Sequence, residues 1–173
     1  MFSIRPCPHP ETSYLKAYSS RPDHYTDCFE TTAVDEVSLT ELVEAFFTSP
    51  VLRLERKLLG LAGMPSTTAA VTALANGAGT KVSGWETEQR DENQLLLAIF
   101  QNGIRTWLMV ERDGTGTKLF FGSAVVPKNA GSENPKLGWW VNAFMGFHLL
   151  YSRIVLAAAK FQVRRMKRRA ATA

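Results

Sequence analysis

Cysteine and histidine are scarce in this chain of 173 residues: Cys7 and Cys28 are the only cysteines, and His9, His24 and His148 the only histidines. Two cysteines make no disulfide framework and read as the reduced thiols of a cytoplasmic protein. No C-x-x-C occurs, and no two histidines stand at i+3 or i+4 on one element, so no metal site is expected. The glycine-rich run Gly77-Ala78-Gly79-Thr80-Lys81 lacks the G-x-x-x-x-G-K-[ST] spacing and leads into a strand. No phosphate loop and no cofactor is therefore expected. The first twenty residues hold no apolar run of the roughly 7–15 residues that a cleaved secretory signal needs.

An evenly basic body is also lacking, although the net charge is +4. Lys160, Arg164, Arg165, Lys167, Arg168 and Arg169 crowd into the last fourteen residues, and without them fourteen basic residues face sixteen acidic ones. The basicity belongs to one end of the chain, with no aromatic residues interleaved to read bases, so nucleic acid is not an expected partner. Peripheral attachment to a membrane, or another anionic contact, through this basic tail is a further expectation.

What is present suits one soluble domain. Apolar residues make up 45% and charged residues 21%, close to the globular average. Residues 1–20 are Pro- and Ser-rich and read as a flexible arm, 21–163 as a single domain, and 164–173 as the basic tail. A first strand is expected over Asp23 to Ala33. Ser38-Leu39-Thr40-Glu41 fits a capping box, and Leu42, Val43, Phe46 and Phe47 follow at helical spacing. Ser49-Pro50 should end that helix and begin a second, stopped by Gly63. Thr67 to Ala75 can form a helical turn or two. Four β-like runs follow, about 81–90, 94–101, 104–112 and 117–126. Asn102-Gly103 predicts a tight hairpin between the second and third of these, and short breaks imply a meander.

The strongest element spans about Lys136 to Arg168. A helical wheel places Trp140, Phe144, Phe147, Tyr151, Ile154, Ala158 and Phe161 on one stripe, with Asn142, Arg153, Lys160 and Arg164 opposite, Leu149 and Leu156 among them. Leu137 to Ala159 is apolar enough to invite a membrane reading. However, Arg153 lies inside it, and a charge at the bilayer centre costs about 2.5–3.5 kcal/mol. The expected fold is α+β: a curved antiparallel sheet of about five strands wrapped around a long C-terminal helix, with two short helices after the first strand.

Several stretches carry a family likeness. They are Tyr25-Thr26-Asp27 with its strand, Ser38 to Leu61, the β runs from Val82 to Val126, and Gly146-Phe147-His148-Leu149-Leu150-Tyr151 with Val155-Leu156. Together they resemble a bacterial domain-of-unknown-function family with the START/SRPBCC-like helix-grip fold, whose members occur alone or after short-chain-dehydrogenase-like domains. The resemblance implies a cavity between sheet and long helix for a small apolar or amphipathic ligand.

Candidate ligand contacts are His148, Tyr151, Phe144, Phe147, Trp140 and Trp107, chosen for aromatic area and for the polar atoms of His148 and Tyr151. Glu86 and Glu88 share a strand face and read as solvated edge charges. Both strand faces of 94–101 and 104–112 are apolar, so a partner, such as a second copy forming a homodimer, is expected on the sheet's outer face. A ligand-binding module is the leading expectation. The alternatives are a cyclase-, hydratase- or isomerase-like enzyme using the same cavity, and an interaction protein with a filled core.

Overall fold

Strand β2 (Tyr25–Ala33) turns Asp27, Phe29, Thr31 and Ala33 to one side and Cys28 and Glu30 to the other, by the two-residue period of extended chain. A computed structural model describes residues 4–99, 103–114, 116–127 and 139–172, with backbone alone for 139–147. Helix α2 (Leu39–Thr48) begins at the expected capping box. The Ser38 hydroxyl accepts from the Glu41 amide at 3.2 Å, and the Ser38 amide donates to the Glu41 carboxylate at 2.8 Å. Ser49 caps α3 (Pro50–Leu61), with Pro50 in its first turn. Gly63, at φ +85°, supplies the left-handed residue that ends it. Helix α4 (Thr68–Ala75) is capped by Thr67.

Among the described residues the sheet has seven antiparallel strands, not about five. A two-residue β1 (Arg5–Pro6) pairs with β2, and the run from Lys81 divides into β3 (Lys81–Val82) and β4 (Trp85–Arg90). The division falls at Ser83, whose φ of +49° breaks the extended chain. With β5 (Gln94–Ile99), β6 (Ile104–Arg112) and β7 (Thr117–Val125), the order is β1-β2-β7-β6-β5-β4-β3. Strands β5 and β6 are antiparallel neighbours as the Asn-Gly turn predicts, though Asn102 itself lies outside the described residues.

Helices α2 and α4 share the inner face with the last helix. Leu42, Val43, Ala45, Phe46 and Phe47 of α2 form the main core with Phe121, Leu108, Leu97 and Trp85 of the sheet. The long helix α5 (Trp139–Ala170) rests on α2, β2 and β7. Its buried face is Ser152, Val155, Leu156, Ala159 and Val163, whereas Ile154 and Phe161 of the expected stripe are exposed. From Ser152 onward the correction is a rotation of about one residue, ~100°, while Tyr151 of the expected stripe does pack against the core. The large side chains of Ile154 and Phe161 do not mark the buried face. The helix instead seats through the small Ser152 and Ala159, which let its backbone approach its neighbours. Lys160, expected on the solvent side, is buried with its ammonium donating to Thr31 Oγ1 at 2.8 Å. Burial, then the charge of Arg164, lowers its pKa. The helix continues to Ala170, so Arg164 to Arg169 are its last turns and not a tail. Among the described residues, no helix is long and apolar enough to cross a membrane.

The outer face is covered by the chain itself. The segment that follows β1, with one helical turn α1 (Lys16–Ser19), lies across it through Cys7, Tyr14, Leu15 and Tyr18, and Leu15 is wholly buried beside Leu96, Trp107, Met109, Phe120 and Ala124. Of the apolar residues that prompted the expectation of a second copy, Leu96, Ala98, Trp107 and Met109 are buried within the chain itself. Gly122 on β7 is the seat: a Cβ there would stand 2.5 Å from Leu15 Cδ1 and 2.7 Å from the Asp27 carbonyl oxygen. Beside it Cys7 faces Cys28, sulfur to sulfur at 3.0 Å. Their hydrogen bond lowers the Cys7 pKa and, with burial, raises that of Cys28.

Candidate functional site

Three polar residues stand at inward-facing positions where the strand and helix patterns call for apolar ones. Asp27 precedes Phe29 on the inner side of β2, Ser123 follows Phe121 on β7, and Glu55 lies between Leu52 and Leu59 on the buried face of α3. Buried polar groups must find partners, and here they find each other and α5.

Asp27 is almost fully buried and joins three elements. One carboxylate oxygen accepts from the Ser123 amide at 2.8 Å and the Ser123 hydroxyl at 2.9 Å. The other accepts from the Ser152 hydroxyl at 2.8 Å and lies 3.3 Å from His148 Nε2. That same Nε2 is 2.7 Å from Ser123 Oγ. Since Ser123 spends its one proton on Asp27, its oxygen accepts from a protonated Nε2. A nucleophilic triad needs the serine and the carboxylate on opposite nitrogens of the imidazole. Here both meet one nitrogen, so Asp27, Ser123 and His148 form a positioning cluster that aims the His148 ring. Tyr25 packs edge-on against that ring, centroids 5.8 Å apart, and burial followed by the Asp27 charge pushes its phenol up to about 12.

The second polar pair joins α5 to α3: the Tyr151 hydroxyl donates to Glu55 Oε2 at 2.5 Å. Burial raises the Glu55 pKa, with the Tyr151 hydrogen bond opposing it. Burial and then the Glu55 charge raise that of Tyr151, which keeps its proton as a donor.

Both groups edge a cavity of about 130 Å³. Phe46, Trp85, Ile99, Ile104 and Phe121 give it apolar walls, and Ser123, His148, Tyr151 and Glu55 a polar side. Of the residues singled out from sequence, His148 and Tyr151 reach this cavity. Trp107 does not: it is on the outer face, fully buried, with Nε1 donating to Gln94 Oε1 at 3.0 Å. The side chains of Trp140, Phe144 and Phe147 lie outside the described residues. Glu88, read as a solvated edge charge, instead pairs with Arg105 at 2.7 Å and bonds the Tyr18 hydroxyl of the arm. Asp27, Ser123 and Glu55 were missed. Their signal was a polar side chain at an inward position beside large apolar ones on the same face, Phe29, Phe121, and Leu52 with Leu59. Among the described residues no group of three or more His, Cys, Asp or Glu is placed to hold a metal ion.

No family model matches the chain. No curated protein matches it either. One solved structure, an uncharacterised protein from Rhizobium leguminosarum, is similar over 82% of this chain and 95% of its own, at 11% identity and a TM-score of 0.37. That level of likeness carries no argument about fold or activity.

Proposed function

We propose that the chain is a helix-grip domain of START/SRPBCC type, acting in the cytoplasm as a binding module for a compact amphipathic molecule. The support for the fold type is the order of elements: β2 neighbours β7, the helices fall between β2 and β3, and a long helix closes the chain. The support for binding is the cavity, where an apolar wall meets two oriented polar groups, His148 and the Tyr151–Glu55 pair. Its volume is well under the roughly 300–1,000 Å³ of pockets for drug-sized ligands, so the ligand is compact. Its apolar body would face Phe46 and Trp85, and its polar end His148 and Tyr151.

Native mass spectrometry of protein purified from cells tests this. A non-covalent mass should accompany the chain and disappear in Ile104→Phe, which fills the cavity. A bare wild-type mass, with no thermal shift from any compact amphipathic compound, would sink the proposal.

A second reading, an isomerase- or cyclase-like enzyme, draws on one observation. Glu55 is a carboxyl with a raised pKa at a cavity wall, the arrangement a general base needs. Glu55→Gln should then abolish turnover of the bound molecule while leaving its binding intact. Unchanged turnover would remove the enzyme reading and leave the binding one standing.

A further inference from the structure

The charge of this chain is sharply divided. Helices α3 and α5 hold ten basic residues against one acidic residue, Glu55, a net +9, while the remainder holds ten basic against fifteen acidic, a net −5. The outer faces of both helices are apolar as well as basic. On α5, Leu150, Ile154, Phe161, Arg165 and Arg168 recur at spacings of three, four and seven, which places them on one stripe, and all are exposed. On α3, Leu54, Lys57, Leu58 and Leu61 do the same, with Leu58 58% and Leu61 86% exposed. The two helices are neighbours, joined by Tyr151 and Glu55. At the end of α5 a groove of about 470 Å³ is lined by Phe161, Arg164, Arg165, Arg168 and Arg169. Lys160 and Lys167 serve the fold instead, through Thr31 and through Glu41 at 2.6 Å.

We propose that the α3/α5 face docks on an anionic lipid bilayer. The leucines, Ile154 and Phe161 enter the boundary between headgroups and acyl chains, and the arginines at the end of α5 hold lipid phosphates. An interfacial helix combines these two signals, an apolar face and a basic one. A nucleic-acid backbone satisfies the arginines but leaves the leucines wet. A second copy of this face presents cation to cation. The inference is independent of the cavity and of what the cavity binds.

The test is co-sedimentation of the full chain with vesicles of phosphatidylcholine containing phosphatidylglycerol, against phosphatidylcholine alone. Binding should require the anionic lipid and weaken as salt rises. Arg165→Glu with Arg168→Glu should weaken it by about fivefold or more per arginine. Leu58→Ser with Ile154→Ser should weaken it on the same vesicles at unchanged salt dependence. All four positions are exposed, and an unchanged Tm verifies that each variant folds. Equal binding to neutral vesicles, or indifference to either pair of substitutions, overturns the proposal. So does full release by millimolar inorganic phosphate, which marks a free-anion site. Tighter binding to duplex DNA than to anionic vesicles overturns it in favour of nucleic acid.

Discussion

The two faces of the sheet are closed by opposite means. The inner face is covered by α2, α4 and α5 and keeps a buried polar cluster and a cavity that spans β4 to β7. The outer face is covered by the segment between β1 and β2, which contains little regular structure, and its centre is the buried group of Leu15, Leu96, Trp107 and Phe120. Long amphipathic helices cover a sheet while leaving gaps that polar groups can line. An irregular segment can follow the pleat closely, as Leu15 does by seating over Gly122. Candidate chemistry is on the regular side, and close apolar packing on the irregular one.

The largest expected effect tests the inner face. Asp27→Ala leaves the Ser123 amide, two hydroxyls and His148 without their acceptor and should cost about 3–5 kcal/mol, since each buried polar group left unsatisfied costs about 1–3 kcal/mol. Urea unfolding measures it. A cost near that of an exposed residue would mean water reaches the cluster. Next is Leu15→Ala, which should cost about 2–5 kcal/mol as a core truncation and shift Trp107 fluorescence to the red. No change in either would mean that the arm does not cover this face in solution.

Slightly smaller is a gain from closing Cys7 to Cys28. Their sulfurs are already 3.0 Å apart, and an oxidant such as glutathione disulfide should join them within one chain. Cross-linking a loop of this length stabilises by roughly 3 kcal/mol, readable as a higher Tm that dithiothreitol reverses. Intermolecular dimers instead would show that the arm leaves its seat.

The smallest effect is a slope. Burial raises the Glu55 carboxyl above its ordinary 4.5, so the folded chain binds that proton more tightly than the unfolded chain does. The stabilisation this confers is complete below 4.5 and lost as pH climbs through the folded pKa. Glu55→Gln should flatten that fall in stability. An unchanged slope would mean that Glu55 is hydrated and the polar side of the cavity open.

Much of the fold was legible because its signals are local. The Ser38 capping box, the Ser49-Pro50 break, the antiparallel meander around Gly103 and the existence of α5 all depend on neighbours within a few residues, and all stand where the pattern placed them. The candidate site was half legible. His148 and Tyr151 attracted notice by residue type. Asp27, Ser123 and Glu55 each sit next to large apolar residues on their own face, and the partners Asp27–Ser123 and Glu55–Tyr151 lie 96 residues apart.

The amino-acid order by itself determined the type and sequence of the elements and the basic end of the chain. Helix and strand periods, caps and turns are short-range effects that the chain encodes locally. Only the tertiary structure decided which side of α5 is buried, what covers the outer sheet face and which polar groups share a cavity. Those depend on how closely particular side chains let two backbones approach: Ser152 and Ala159 on the helix, Gly122 on the strand. That closeness is a property of pairs of surfaces, so no pattern within one segment contains it.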